Sequence, residues 1–321
     1  MLSVLLSALF SCNILNKKQN PIKIAILSTV DCFPLYKAWQ LGRFKKAGLE
    51  IEFTLLKSAQ ERDTLLASKA VDGASGDLVG ASLMRARGLD VKVLALTLGS
   101  DKDRKGVSLL LAPGVKNDSM LQGNSIAISK NSVIEYLADR LLAKAQIPLD
   151  WLEKVHIANF GLRLSLLTSG KVKVTVLPDP LAQVAVSKGA SVLIEDKRSQ
   201  YSHAILLFQE PYIKDNVATV KNLLEILSQV THEINADLEA VKKEIIDFCK
   251  MPEELAQNYQ VSKFSERSLP AKSLVADVQD WLIQNKRVEQ KISYLDLCSE
   301  RFGFIPNEDF ELINAKAAFR N

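Results

Sequence analysis

PIKIAILSTVDCFPLYKAWQLGRFKKAGLEIEF, residues 21–53, decides how the chain is read. After Pro21 the run IKIAILST is apolar almost without interruption, as in a strand covered on both faces. A break at Asp31 to Pro34 follows, then LYKAWQLGRFKKAG with helical spacing, ended by Gly48 as a helix C-cap would end it. LEIEFTLL then alternates apolar and polar residues, the pattern of a strand with one wet face. Strand, helix, strand in so short a span predicts a parallel sheet.

The same alternation continues on both sides of a central division. Ser58 to Ser68 reads as a helix, Val71 to Ala74 as a short strand, Asp77 opens a helix through Arg87, and VKVLALTL is the next strand. GVSLLLAP is a strand, Asn117 to Gln122 a short helix or turn, and NSIAIS a strand. Ser132-Val-Ile-Glu135 matches a capping box opening a helix to about Ala145. VHIANF is strand-like, LRLSLLTSG helical, VKVTVL a strand, and Asp179-Pro180 a helix start with proline first. HAILLFQEPY returns as a strand, and Lys214 to Asn321 reads as mostly helical. Leu65-Leu-Ala-Ser-Lys-Ala-Val71 aligns with Leu166-Leu-Thr-Ser-Gly-Lys-Val172, each followed by a strand and an Asp, Asp77 or Asp179. Two α/β lobes follow, residues 21–112 with 202–321 and residues 113–201. Ligands in such sheets bind at the carboxyl ends of strands, so the cleft between lobes is the expected site.

Composition narrows the class. With 321 residues, 47% hydrophobic and 24% charged, the chain is long and apolar enough for two lobes. A net charge of +4 without a basic, aromatic-laced stripe argues against nucleic acid. Cys12, Cys32, Cys249 and Cys298 are scattered without metal-ligand spacing, so no metal or cofactor is expected and the last three read as small buried thiols. The opening MLSVLLSALFSCN is too short for the roughly 20 residues that span a bilayer but fits a signal-peptide core. Leu9-Phe10-Ser11-Cys12 resembles a bacterial lipobox, although Phe10 is bulky and no Lys or Arg precedes the core. Residues 1–20 are therefore expected to be a lipoprotein signal and linker, with Cys12 lipidated; a signal cleaved otherwise and ordinary N-terminal structure are the alternatives.

FPLYKAWQLGRFKKAGLEIEF resembles the start of mature ABC-transporter substrate-binding proteins of the sulfonate, nitrate and taurine group, which includes the NMT1/THI5-like pyrimidine-binding proteins. The resemblance continues through LLASKAVDGASGD, RARGLDVKVLAL, SKNSVIEYLADRLLAKAQIPLDWLEKVHI and LLTSGKVKVTVLPDPLAQVAVSKGA, over roughly Ile22 to Leu297. It implies a type II periplasmic-binding-protein fold whose two α/β lobes close on a small molecule, with a hinge near GVSLLLAP and SHAILLFQ. It also implies an ABC permease and its ATPase as partners, a monomeric protein held outside the cytoplasm, and binding without turnover.

On that reading Ser28, Thr29 and Asp31 end the first strand facing the cleft, or else form a turn. Phe33 and Tyr36 stack on a planar ligand or pack in the core; Trp39 reads as cover. Asp77 and Asp179 either contact ligand or cap helices. Two acids at one cleft favour a hydrogen-bond donor such as an aminopyrimidine over nitrate or sulfonate. Ser129, Asn131 and Ser132 lie at a helix start suited to an acceptor or anion. Arg163 could neutralise an anion, while His156, His203 and His232 read as structural or exposed. No nucleotide loop, nucleophile elbow or zinc motif appears. The rival is a cytoplasmic enzyme of the same fold. A pyrimidine synthase would need a cysteine-rich iron motif that is missing here, and a menaquinone-precursor enzyme would not begin with a lipobox-like segment.

Overall fold

The structure is a computed structural model that describes residues 20–99, 105–115, 121–197, 202–256 and 259–306. Cys12 and most of the Asn117–Gln122 turn lie outside the described residues.

The opening stretch folds as β1 (Ile22–Leu27), α1 (Phe33–Gln40), α2 (Arg43–Lys46) and β2 (Ile51–Leu56). The single helix expected over this region is two, because Gly42 adopts a left-handed φ of 67° between them. α3 (Ala59–Ala67), β3 (Gly73–Asp77), α4 (Leu78–Ala86) and β4 (Val91–Leu96) follow. β1 is buried on both faces and pairs in parallel with β2 and β3, while edge strand β2 exposes Glu52 on one face and Leu55 on the other. The third strand begins at Gly73 rather than Val71, and its small residues have a purpose. A Cβ on Gly73 would stand 2.6 Å from the Phe208 ring of the adjacent strand.

The second lobe comprises β5 (Lys105–Leu111), β6 (Asn124–Ile128), α5 (Val133–Lys144), β7 (Leu152–His156), α6 (Phe160–Thr168), β8 (Val174–Pro178), α7 (Leu181–Ser187) and β9 (Ser191–Lys197). The strand read at VHIANF starts earlier, at Leu152, and stops at His156, because Asn159 instead caps α6 by accepting from the Leu162 amide. β10 (Ala204–Gln209) returns to the first sheet. After it come α8 (Glu210–Asp215), α9 (Val217–Ala236), α10 (Leu238–Cys249), α11 (Glu253–Ala256), β11 (Ser268–Leu269), α12 (Lys272–Gln284), α13 (Tyr294–Leu297) and β12 (Ile305–Pro306).

The two sheets are copies of one plan. Strand order is β2-β1-β3-β10-β4 in the first and β7-β6-β8-β5-β9 in the second. In each, three strands run parallel and the fourth runs antiparallel to its neighbours. The repeat seen in sequence is real in three dimensions: Lys69 and Gly170, aligned by it, both take left-handed φ, 58° and 73°. β5 belongs to the second sheet, so the first crossing falls before Lys105, upstream of the division placed at residue 113.

Phe33, Phe208 and Phe264 centre the core under α1 and α9, and a separate apolar cluster fills the second lobe. The lobes also share packing. Tyr136 and Leu137 of α5 join the cluster built by α4 and α12 of the first lobe. Around them, Arg140 donates to Asp277 at 2.7 Å, Trp281 to Asp139 at 3.0 Å and Arg287 to Glu135 at 2.8 Å.

Candidate functional site

Both lobes wall a cavity of about 140 Å³ at the carboxyl ends of their parallel strands. From the first lobe come the end of β1 (Leu27, Thr29, Val30, Asp31), α3 (Ala59, Arg62), the end of β3 (Ser75, Gly76, Asp77) and the approach to β10 (Ser202, His203). The second contributes the start of β5, Ser129 and Ser132 at the start of α5, Phe160, and Pro178 and Asp179 at the end of β8. The site lies where the sheet edges face each other, as open α/β topology requires.

Of the ten candidate ligand contacts, Thr29, Asp31, Asp77, Ser129, Ser132 and Asp179 line this cavity. Ser28, Phe33, Tyr36 and Asn131 do not. Phe33 is fully buried between Phe248 and Phe264, and Tyr36 stacks on Phe248 at 4.7 Å. Both rings therefore pack the protein itself, because α1 turns them toward α9 and α10. Asn131 is exposed with a left-handed φ of 60°, a conformation that asparagine tolerates.

Asp77 is the helix cap that sequence offered as one of its two readings, and it also pairs with Arg62. Its Oδ1 caps α4 by accepting from Gly80 at 2.9 Å, and Oδ2 accepts from Arg62 at 3.0 Å, both inside the cavity wall. Oδ1 also accepts from the Val133 amide of the opposite lobe at 3.2 Å. Asp31 is held by the Ser75 hydroxyl, which donates to it at 2.9 Å. Asp179 is not the N-cap of α7, which corrects the helix-start reading. Its carboxylate accepts from the Gln183 side chain at 3.2 Å, and the N-cap is Pro180, behind a cis Asp179-Pro180 bond.

The expected capping box is displaced by one residue. Ser132 accepts from Ile134, while Glu135 accepts from the Asn131 amide at 2.7 Å rather than from Ser132. The Ser132 hydroxyl donates to the Ser129 carbonyl at 2.7 Å, tying the loop to the start of the helix.

Sequence reasoning missed Arg62 and Ser75, and it read His203 as structural or exposed without placing it at the cavity. Arg62 could have been found through the repeat, since it aligns with Arg163. His203 is buried in the wall beside Tyr136, and burial holds its pKa down at about 4, so its imidazole is neutral. Asp31, Asp77, Asp179 and Asp196 thus face one cavity guanidinium, Arg62, which Asp63 and Asp77 already neutralise. The wall is rich in acceptors and short of positive charge. Among the described residues no cluster could hold a metal ion, and no helix is long and apolar enough to cross a membrane.

Two α/β lobes enclosing a strand-end cavity define the periplasmic-binding-protein class of fold. Residues 29–239 match the NMT1/THI5-like family, and the chain belongs to that family. No curated protein sequence matches it. Among solved structures it is similar to the ligand-binding component of an ABC-type import system from Staphylococcus aureus, at 14% identity and TM-score 0.74 over 88% of this chain and 97% of that one. The periplasmic aliphatic sulphonate binding protein SsuA from Escherichia coli gives 17% identity and TM-score 0.71 over 89% and 99%. A desulfurization enzyme, DSZB, shares the fold at 15% identity and TM-score 0.62 over 88% and 97%.

Proposed function

We propose that this chain is the solute-binding component of an ABC importer. It captures a small molecule between its lobes and presents it to a permease and its ATPase. The observation that carries the reading is the acceptor-rich cavity walled by both lobes, with Asp31 and Asp77 on one side and Asp179 on the other. Carboxylates so placed reward a ligand with several N–H donors and repel a bare anion. The favoured solute is accordingly an aminopyrimidine of the thiamine-precursor kind or a related heteroaromatic, ahead of nitrate or a simple sulfonate. Hinge closure would strip water from the ligand and strengthen those few polar contacts. The protein acts as a monomer without cofactor, held outside the cytoplasmic membrane by a lipid on Cys12.

A thermal-shift screen tests the solute class, because a ligand bound only by the folded state raises the melting temperature. Aminopyrimidines are expected to shift it, and nitrate and simple alkanesulfonates are not; the reverse result rejects the class. The alternative, a cytoplasmic enzyme, takes its support from the desulfurization enzyme of the same fold. Fatty-acid labelling separates the two: label on the wild type, lost in Cys12→Ala, supports the tethered importer component. Absence of label together with cytosolic fractionation supports the enzyme.

A further inference from the structure

The internal repeat sets two arginines side by side for comparison. α3 and α6 are equivalent helices, capped by Ser58 and Asn159 and leading into β3 and β8. Constant spacing through the repeat pairs Arg62 with Arg163, and Ala59 with Phe160, both of which line the cavity. In the first lobe Asp63 and Asp77 neutralise Arg62. At the same spacing the second lobe has Leu164 and Pro178, with Asp179 one residue further on and bonded to Gln183. Arg163 has kept the guanidinium and lost both carboxylates.

Arg163 is nonetheless fully buried. Its Nη1 donates to the carbonyls of Ile157 at 2.7 Å and Ala158 at 3.2 Å, and the guanidinium lies 4.8 Å from the centroid of the Phe160 ring. Nε and Nη2 have no hydrogen-bond partner among the described residues. Burial lowers the pKa to about 10, and no carboxylate opposes the shift. A cation–π contact and two carbonyls do not replace the hydration such a group has lost. A buried cation with unmade N–H bonds is stabilised by an anion, and Phe160, on which it stacks, is the residue of α6 that forms the cavity wall.

We propose that Arg163 is the anion-binding group of the solute site, uncovered when Phe160, the first residue of α6, turns aside. The solute is then bipolar. A donor-rich end lies among Asp31, Asp77 and Asp179, and a carboxylate, phosphate or sulfonate meets the guanidinium. This inference rests on the solute-capture reading above and specifies its substrate class.

Matched probes test it: an aminopyrimidine methanol against its phosphate ester, and ethanolamine against taurine, by calorimetry on wild type, Arg163→Met and Arg163→Lys. In the wild type the acid-bearing member of at least one pair binds tenfold or more tighter than its partner. Arg163→Met removes that preference while leaving affinity for the acid-free member unchanged, and Arg163→Lys keeps part of it. Without ligand, Arg163→Met melts no lower than wild type, since it deletes an uncompensated charge. Equal affinities within both pairs overturn the subsite, as does a preference that survives in Arg163→Met. A ligand-free Arg163→Met that melts far below wild type, or does not fold, also overturns it, because Arg163 is then a strap for the Ile157 and Ala158 carbonyls. Inorganic phosphate alone matching the ester overturns the bipolar solute in favour of a free anion. If the acid-free members bind and the acids do not, solute capture stands without the subsite. If no probe binds the wild type, the capture reading falls and the subsite with it.

Discussion

Asp77 Oδ1 accepts from the Gly80 amide of its own helix at 2.9 Å and from the Val133 amide of the opposite lobe at 3.2 Å. One carboxylate oxygen thus caps α4 and touches the start of α5 across the cleft. Its other oxygen holds Arg62, whose side chain is only 4% exposed.

Replacing Asp77 separates these roles. Asp77→Ala leaves Arg62 buried with Asp63 as its remaining partner and uncaps α4, and a loss of about 3 kcal/mol is expected from breaking a buried pair. Asp77→Asn keeps the cap and is expected to recover about 1 kcal/mol of that loss. Urea denaturation of both variants measures the difference; equal stabilities would show that the cap contributes nothing.

His203 gives the protein an acid limit. Its neighbours Asp77 and Asp277 favour the protonated form and Arg140 opposes it, but burial dominates and brings the pKa from 6.5 to about 4. The unfolded chain therefore takes up a proton near 6.5 that the folded protein refuses until about 4. Stability is complete above 6.5, falls as pH drops through this window, and is level again below about 4. At about 1.4 kcal/mol per unit the loss approaches ~3 kcal/mol. Melting curves from pH 7 to 4 should show it, and His203→Gln should flatten the slope.

Phe33→Ala tests the placement of the aromatic cluster. With its ring wholly buried against Phe248 and Phe264, truncation is expected to cost about 3–5 kcal/mol. Ligand affinity, measured well below the melting temperature, is expected to stay within twofold of wild type. A large affinity loss in a stably folded variant would return Phe33 to the site.

Cys32, Cys249 and Cys298 are buried free thiols. Burial raises the pKa of all three, and those of Cys32 and Cys298 reach about 12, so little thiolate forms at neutral pH. In a Cys12→Ser variant a thiol reagent should label nothing in the native protein within minutes and three groups after denaturation. Rapid native labelling would contradict this burial.

The strand-helix alternation of residues 21–53 was legible because its periods of 2 and 3.6 are local properties of the chain. The ends of β3 and β8 were legible too, since a ligand cleft follows from topology, and Thr29, Asp31, Asp77, Ser129, Ser132 and Asp179 all line it. Phe33 was not, because an aromatic ring on a helix looks the same whether it faces a ligand or another helix. What separates the cases is the approach of α9 and α10 from far along the sequence. The place of His203 in the cavity wall was not legible for the same reason: only the folded chain sets it against Tyr136.

By itself, then, the sequence determined the two α/β lobes and the repeat that relates them, and the structure finds the aligned Lys69 and Gly170 both left-handed. Hydrophobic period and turn chemistry act within a few residues and need no partner. The tertiary structure decided which charges are compensated. Arg62 and Arg163 hold the same place in the repeat, and although Leu164 and Pro178 already stand where Asp63 and Asp77 do, only the folded chain shows Asp77 reaching Arg62 and Arg163 buried against Phe160.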